Sequence, residues 1–187
     1  MKNISLKWGS WVNTLLIVAL IALVSHKTKT TEYGPKGILP DANILHIGLV
    51  VENIETSLDK WVEMLGVEKR PTVNIAEGHH ENPTTYLGKP TKGKAKIVFI
   101  RADNIQIELL EPIGDEKSYW RDFLEKYGPS VHHIGVNVKE LGEKYVDIFD
   151  KAGYPLVQHG GWNGGEYGYM GTQKDLGVVI ELLEHYR

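Results

Sequence analysis

The chain has 187 residues, a formal net charge of −3 and no cysteine. This length suits one compact domain or a fused pair of small modules. The small charge and the lack of a basic block argue against nucleic-acid binding as the main activity, and the lack of cysteine excludes disulfides and thiolate metal ligands.

The first 25 residues have the pattern of a signal anchor or a signal peptide. Lys2 and Lys7 precede an apolar run over residues 11–24, and a polar segment rich in Thr and Lys comes after it. Roughly 14 apolar residues are fewer than a bilayer-spanning helix needs and are typical of a signal peptide or a short anchor. No Ala-x-Ala cleavage site lies near Ser25, so the pattern favours an uncleaved membrane anchor.

Residues 26–42 are predicted to form a linker, because they are rich in Thr, Lys, Gly and Pro. Basic residues flank both ends of the apolar run, so the positive-inside comparison is close to a tie. A short N-terminal segment with basic residues at its start usually directs export of the domain behind it. We therefore predict a domain that faces the periplasm or the exterior, with an exported soluble form as the alternative.

The larger part of the chain repeats itself. Ile-Glu-Leu-Leu-Glu occurs at residues 107–111 and 180–184, and His-Ile-Gly precedes each copy, at 46–48 and 133–135. In both copies the His-Ile-Gly strand is followed by a helix with one apolar face. The first copy is longer, and residues 78–94, rich in Gly, Pro and Thr, account for the difference as a predicted loop. Whole segments align, which indicates a duplicated module.

Strand periodicity predicts where the repeated histidines point. Successive residues of a strand face opposite sides of a sheet, so His46 shares a face with Gly48, and the other face of this strand is apolar. His133 and Gly135 repeat the arrangement, with His132 on the packed face. We interpret the two glycines as leaving room above the sheet for something bound.

Glu108 and Glu181 are unusual because each lies inside an apolar strand. Burial of an unpaired carboxylate costs several kcal/mol or raises its pKa until it is neutral. A lone histidine on such a strand is more often structural than a ligand, so neither His46 nor His133 is sufficient by itself. Two histidines and two glutamates at equivalent places in two repeats predict that all four bind one divalent metal ion.

The Leu-His-Ile-Gly and His-His-Ile-Gly strands and the two Ile-Glu-Leu-Leu-Glu strands resemble those of the vicinal oxygen chelate superfamily. This superfamily includes glyoxalase I, methylmalonyl-CoA epimerase, extradiol dioxygenases and fosfomycin-resistance proteins. The likeness extends to the epimerases in particular, through Glu-Leu-Leu-Glu-Pro, a helical segment and His-His-Ile. It implies an α+β fold of two fused βαβββ modules that form a cupped eight-stranded sheet, and a homodimer. The implied metal ligands are His46, Glu108, His133 and Glu181.

These predictions divide the chain into three parts. A signal anchor or signal peptide, with a hydrophobic helix, occupies residues 1–25, and the linker occupies residues 26–42. The glyoxalase-like domain occupies residues 43–187, with module one at 43–113, a connecting helix at 114–128 and module two at 129–187.

The ligand set indicates the chemistry. Two neutral imidazoles and two carboxylates balance a divalent cation and leave two positions of a six-coordinate ion for substrate oxygens. Such an ion polarises a carbonyl and stabilises the enolate formed when a proton leaves the adjacent carbon. In glyoxalase-like members a ligand carboxylate can take that proton, so we predict Glu181 as the catalytic base, with Glu108 opposite. The ligands suit zinc, nickel, cobalt, manganese and ferrous iron about equally.

Two departures separate the chain from the epimerases that it resembles. Residues 96–100, on the strand before Glu108, offer no carboxylate for a second base. Glu108 also stands where epimerases often have glutamine, and His/Glu/His/Glu is the set of bacterial glyoxalase I. A domain outside the cytoplasm would not meet a coenzyme A thioester. We therefore predict an epimerase-like or glyoxalase-like isomerase or lyase with a small carbonyl substrate.

Two other functions fit the same residues. A ferrous extradiol-type dioxygenase would use only His46, His133 and Glu181, and Glu108 discriminates because a fourth ligand occupies space that oxygen chemistry requires. A non-catalytic protein would instead keep the cup to bind a small ligand or a metal.

Overall fold

The computed structural model describes residues 37–40 and 42–186. The predicted anchor and most of the predicted linker lie outside these residues. Among the residues described, no helix is long and apolar enough to cross a membrane.

The described residues form ten strands and four helices. The strands are β1 (Asn43–Val50), β2 (Asn74–Ala76), β3 (Thr85–Tyr86), β4 (Lys89–Pro90), β5 (Lys94–Arg101), β6 (Gln106–Ile113), β7 (Ser130–Asn137), β8 (Leu156–Trp162), β9 (Gly165–Met170) and β10 (Val179–His185). The helices are α1 (Ile54–Leu65), α2 (Tyr119–Tyr127), α3 (Val146–Lys151) and α4 (Gln173–Leu176), and a π-helical turn at Leu141–Tyr145 leads into α3.

All ten strands join in one sheet, in the order β2-β5-β6-β1-β7-β10-β9-β8-β3-β4. Eight of them form two groups of the same topology. In each group the first strand is parallel to the last, as β1 is to β6 and β7 is to β10, and the middle strands extend outward antiparallel. β1 and β7 pair antiparallel and join the groups. This curled sheet with few helices confirms the predicted fold class.

The remaining two strands correct the prediction of a loop over residues 78–94. β3 and β4 form a short hairpin there, and β3 pairs with β8 at the far edge of the other module. An exposed edge strand has unpaired backbone groups, and this hairpin covers part of that edge, at Gln158 and His159 of β8. Buried Thr84 immediately precedes β3. Strands of two residues leave no periodic pattern in the sequence.

The helices cover both faces of the sheet. Leu58 of α1 packs with Val98 and Leu109 on the face opposite to Glu108, and Phe149 of α3 packs with Leu182 on the corresponding face of module two. We call this the outer face. α2 lies on the other, inner face, where Trp120 and Phe123 pack with Leu110, Tyr169 and Val179. α2 therefore packs against the face of the sheet on which Glu108 lies.

Local capping explains where the two longer helices begin. The side chain of Asn53 accepts a hydrogen bond from Thr56 N at the start of α1, and that of Ser118 accepts one from Arg121 N at the start of α2. Gly66 ends α1 in the left-handed region, with φ of 63°.

The last glutamate of each Ile-Glu-Leu-Leu-Glu copy also binds a helix start. Glu111 accepts a hydrogen bond from Ile54 N at 2.8 Å. Glu184 accepts hydrogen bonds from Glu140 N at 2.9 Å and Leu141 N at 2.7 Å. The repeated sequence thus encodes an inward carboxylate at its second position and a helix cap at its fifth.

β1 and β7 each have a bulge immediately before the metal-site histidine. The pairing of β1 with β7 skips Leu45, which precedes His46, and on β7 it skips His132, which precedes His133. An extra residue shifts the alternation of faces by one position. His132 therefore turns inward beside His133, and its predicted place on the packed face is wrong.

Candidate functional site

Four polar side chains meet at the floor of the cup, one from each of the four central strands. They are His46 on β1, Glu108 on β6, His133 on β7 and Glu181 on β10. Each is at most 4% exposed. Glu108 and Glu181 face inward, as the alternation of their strands predicts, and the bulges set the direction of the two histidines.

The four groups are in direct contact. His46 Nε2 lies 2.8 Å from Glu181 Oε2 and 3.1 Å from Glu108 Oε2. His133 Nε2 lies 2.8 Å from Glu108 Oε2 and 3.2 Å from Glu181 Oε2. The two Nε2 atoms are 2.9 Å apart. Two imidazole nitrogens that share the same pair of carboxylates suit a common cation between them.

These distances fit a six-coordinate divalent ion. With bonds of about 2.1 Å, neighbouring donors of an octahedron are about 3.0 Å apart and opposite donors about 4.2 Å. Five of the six donor pairs are separated by 2.8–3.2 Å. All four donors, including those of the sixth pair, Glu108 and Glu181, lie within 4.8 Å of one another. A six-coordinate ion held by these four donors would keep two positions for other oxygens.

The two glycines of the His-Ile-Gly segments fit the histidines of the opposite module. A Cβ atom on Gly48 would lie 2.0 Å from His133 Cε1, and one on Gly135 would lie 2.3 Å from His46 Cε1. The sequence predicted open space for a ligand above these glycines, but an imidazole ring fills it. Each module therefore provides the space in which the other places its histidine.

Charge is concentrated in this cluster. Burial opposes protonation of His46, but hydrogen bonds with Glu108 and Glu181 outweigh it and raise its pKa to about 10. Burial likewise opposes protonation of His133, whose pKa the carboxylates of Glu181 and Glu108 raise to about 9. Burial raises the pKa of Glu181, but the two imidazoles outweigh it and hold this pKa far below its usual range. A bound cation takes the place of the imidazole protons.

His132 contacts the cluster from behind. Its Nδ1 lies 2.9 Å from His133 Nδ1, and its ring packs edge-on against Tyr119, Phe123 and Tyr169. The pKa of His133 is raised to about 9, so near neutral pH both of its ring nitrogens carry protons, and Nδ1–H donates to Nδ1 of His132. A cation on Nε2 would likewise leave the proton of a neutral His133 on Nδ1. His132 is fully buried, and its Nε2 has no hydrogen-bond partner among the described residues. The adjacent histidines in the sequence, His132-His133, are the signal that could have indicated this contact.

A cavity of about 580 Å³ opens above the cluster. His46, Glu108 and Glu181 lie on its floor, and the walls are mainly aromatic and aliphatic. The wall residues come from both modules: Leu45, Ile75, Ala76, Ile97, Phe99, Leu110, Trp120, Gly161, Trp162, Tyr167, Tyr169 and Leu183. The sequence pattern does not reveal this wall, because its members come from seven strands and one helix.

The strand beside Glu108 offers no carboxylate to the cavity, in agreement with the sequence. Ile97 and Phe99 are its two residues in the wall. Glu77 also lines the cavity, and its carboxylate is paired with Lys94. Gln106, two residues before Glu108, adds an uncharged polar group.

Known proteins share this sequence pattern. The model of the glyoxalase/bleomycin resistance protein/dioxygenase superfamily matches residues 45–171. The chain is similar to uncharacterized protein YqjC of Bacillus subtilis (strain 168), with 25% identity over 74% of this chain and 89% of that protein. It is also similar to mitochondrial methylmalonyl-CoA epimerase of Dictyostelium discoideum, with 30% identity over 74% of this chain and 76% of that protein.

A solved structure shows the same fold. Methylmalonyl-CoA epimerase from Mycobacterium tuberculosis matches with a TM-score of 0.53 and 18% identity, over 77% of this chain and 88% of that one. Twin modules in one curled sheet, with a His/Glu cluster on the inner face, define a protein of the glyoxalase fold. The chain belongs to the glyoxalase/bleomycin resistance protein/dioxygenase superfamily, which is the vicinal oxygen chelate superfamily.

Proposed function

We propose that this protein is a divalent-metal-dependent isomerase or lyase that removes a proton from a carbon next to a carbonyl group. The observation that carries the proposal is the set of five donor distances of 2.8–3.2 Å among four buried side chains below an open cavity. Such a set would suit one six-coordinate ion that keeps two positions for two neighbouring substrate oxygens.

His46, Glu108, His133 and Glu181 would hold the ion. When bound, it supplies Lewis-acid polarisation of the substrate carbonyl and neutralises the developing enolate oxygen. The two carboxylates balance its charge, and the buried floor keeps bulk water from the reacting carbon. Elemental analysis of the purified protein identifies the metal.

Glu181 is the proposed base. Its carboxylate is buried among groups that keep it ionised, and it borders the cavity. Glu108 lies on the opposite side of the cluster and can serve the other face of the substrate. If Glu181 delivers the proton to the neighbouring carbon, the result is a glyoxalase-like isomerisation, whereas delivery by Glu108 to the opposite face of the original carbon gives an epimerisation. β5 contributes only Ile97 and Phe99 to the cavity and no carboxylate. This supports a mechanism in which only Glu181 and Glu108 move protons.

The relatives support this reaction class. The protein from Dictyostelium discoideum is by name a methylmalonyl-CoA epimerase. Proton removal beside a carbonyl is the chemistry that its name and our site have in common. Its substrate does not follow for this chain at 30% identity.

Metal content and hydrogen exchange test the proposal on the purified full chain. We expect about one divalent ion per chain by elemental analysis, and metal-dependent uptake of deuterium from D2O into one or more members of a panel of 2-oxo, 2-hydroxyketone and 2-methyl-3-oxo compounds. A double variant His46→Ala with His133→Ala should lose the metal. Stoichiometric metal in this variant contradicts the site assignment.

Glu181→Gln separates catalysis from metal binding. The amide keeps a ligand oxygen but cannot accept the proton, so exchange should fall on the order of 100-fold while metal is retained.

Glu108→Ala tests the dioxygenase alternative, because retained iron and ring-cleaving activity in this variant would favour that function. Bound metal without exchange on any compound of the panel would favour a binding protein.

We also propose, from the sequence alone, that residues 1–25 hold the domain at a membrane, with the domain facing the periplasm or the exterior. The full chain should then stay with the membranes through a carbonate wash, and a chain without residues 2–25 should not. Recovery of both in the supernatant would contradict an anchor.

The homodimer that the family resemblance implies stays a prediction, which light scattering can check.

A further inference from the structure

The walls of the cavity are apolar well beyond the metal ligands. The large apolar side chains that line it include Ile75, Ile97, Phe99, Leu183 and the two tryptophans. Large apolar side chains are normally buried, yet Phe99 is 40% exposed and Ile75 is 52% exposed. Their exposed surface lies inside a concavity, where a ligand can remove it from water.

The aromatic wall next to the cluster has little unused hydrogen-bonding capacity. The indole N–H of Trp120 already donates to Tyr169 Oη at 3.0 Å, and Tyr167 Oη accepts from Gln158 Nε2 at 3.2 Å. The Phe99 ring stands edge-on to His46, with ring centroids 5.6 Å apart. Beside these rings the wall has the uncharged polar side chain of Gln106, so a group attached directly to the metal-binding oxygens would contact mainly carbon atoms.

The charged groups of the cavity also favour an uncharged ligand. Among the described residues, no lysine or arginine lines it. A divalent ion and its two carboxylate ligands sum to zero, and Glu77 adds a negative charge at the wall that Lys94 balances. His185 adds an imidazole to the lining, but phosphate or carboxylate groups away from the metal would lose water here without a lysine or arginine to pair with.

We propose that the natural substrate carries its two metal-binding oxygens on an uncharged, apolar body, an aromatic ring or a branched alkyl group. This inference rests on the proposed function, because the metal fixes the oxygen end of the substrate. The body occupies the wall formed by Phe99, Ile97 and Ile75. The cavity thereby selects against polyanionic carriers and against small hydrophilic carbonyl compounds.

Binding of unreactive chelators tests the inference separately from catalysis. Hydroxamates present two oxygens on adjacent atoms, as an enediolate does, and differ only in the attached body. The metal-loaded full chain is titrated by calorimetry with benzohydroxamate, acetohydroxamate and 4-carboxybenzohydroxamate. Burial of the phenyl ring should make benzohydroxamate about tenfold tighter than either of the others. Elemental analysis before and after titration checks that the chelators leave the metal in place.

Two variants locate the contact. Phe99→Ser should weaken benzohydroxamate severalfold and leave acetohydroxamate unchanged, because only the ring reaches Phe99. Leu176→Ser is the matched control, since Leu176 is also a large exposed side chain, at 55%, but lies in α4 away from the cavity. Ile75→Lys should reverse the preference and strengthen 4-carboxybenzohydroxamate, because it adds a cation to the wall.

The outcomes separate this inference from the proposed function. A protein without metal overturns the proposed function and the inference that rests on it. A metal-loaded protein that binds the three hydroxamates equally, binds none of them or prefers the carboxylated one overturns the inference alone. Exchange of deuterium on the substrate panel is measured independently and is unaffected by these results.

Discussion

The steric exchange between glycine and histidine is the most specific feature at the scale of single residues. Gly48 and Gly135 are required by the ring of the opposite module's histidine, not by a backbone conformation. The side chain at position 135 therefore determines whether the His46 ring can keep its orientation, although the two residues lie on different strands of different modules. A change at either glycine acts on the site through one identifiable clash.

Gly135→Ala should impair metal binding more than folding. The added methyl group would lie 2.3 Å from His46 Cε1, so the ring must rotate away from the carboxylates. Overpacking of this kind costs about 1–3 kcal/mol of the free energy of unfolding. We expect loss of most bound metal by elemental analysis, and a lower melting temperature by circular dichroism. Gly142→Ala is the control, since nothing lies within 4 Å of a Cβ atom there. Full metal content in Gly135→Ala would contradict the proposed role of His46.

His132 offers a second test at this scale, with an internal reference in the other module. Leu45 occupies the same bulge position on β1, directly before His46, and its side chain has no polar atom to offer that ring. His132→Leu should therefore keep the apolar packing against Phe123 while His133 loses its acceptor. Loss of such an outer contact typically lowers metal affinity 10- to 100-fold.

The measurement for His132→Leu is metal affinity by chelator competition, with the melting temperature of the metal-free protein as the check on folding. A structural role alone would lower the melting temperature and leave the affinity of the folded protein unchanged. That result would show that His132 does not orient His133.

At the scale of secondary structure, the terminal glutamate of each repeat connects the sheet to a helix. Glu184 accepts two backbone N–H groups at the start of the π-helical turn, whereas Glu111 accepts one at α1. Both carboxylates lie at the positive end of the segment that they cap. The repeat therefore fixes the helix relative to the strand that carries the proposed metal ligand.

Glu184→Ala should destabilise the protein by roughly 1–2 kcal/mol, because two backbone N–H groups lose their acceptor. Urea denaturation followed by circular dichroism measures this. Glu184→Gln, which keeps the acceptor oxygen, should recover much of the loss. Glu143→Ala is the control, because this glutamate lies exposed on the same turn. An unchanged denaturation midpoint in Glu184→Ala would show that water replaces the cap at no cost.

The elements also show what sequence patterns can and cannot predict. The alternation around Glu108 and Glu181 predicted their inward direction, since neither strand has an irregularity near them. The bulges at Leu45 and His132 were missed, because an extra strand residue has no signature of its own and is set by pairing between distant segments. The β3–β4 hairpin was missed for the same reason, since its pairing with β8 is a tertiary contact.

At the scale of the whole molecule, the site belongs to neither module alone. Each module contributes one histidine, one glutamate and the glycine that admits the other's histidine. The antiparallel pair of β1 and β7 brings these parts together. The repeat in the sequence predicted the pairing of the modules, but only the three-dimensional register shows that each completes the other.

The stability of the metal-free protein should depend on pH through this cluster. The pKa of His46 is about 10 and that of His133 about 9 in the folded protein, against about 6.5 for an unfolded histidine. Between these values the folded state binds more protons than the unfolded state, so stability falls as pH rises. The contribution is complete below pH of about 6.5 and is lost as pH passes 9 to 10. With metal bound, both imidazoles are already neutral, and this loss should be absent.

Melting temperatures measured between pH of about 6 and about 10, with and without prior removal of metal by a chelator, test this dependence. We expect the metal-free protein to melt at progressively lower temperature above pH of about 7, and the metal-loaded protein to change much less over the same range. A variant with all four groups replaced by leucine (His46→Leu, Glu108→Leu, His133→Leu and Glu181→Leu) should show no such slope, because it lacks every titrating group of the cluster. If the stability of the metal-free protein is constant or rises across this range, the two imidazoles are neutral without metal. The negative charge of Glu108 and Glu181 would then be neutralised by something other than imidazole protons.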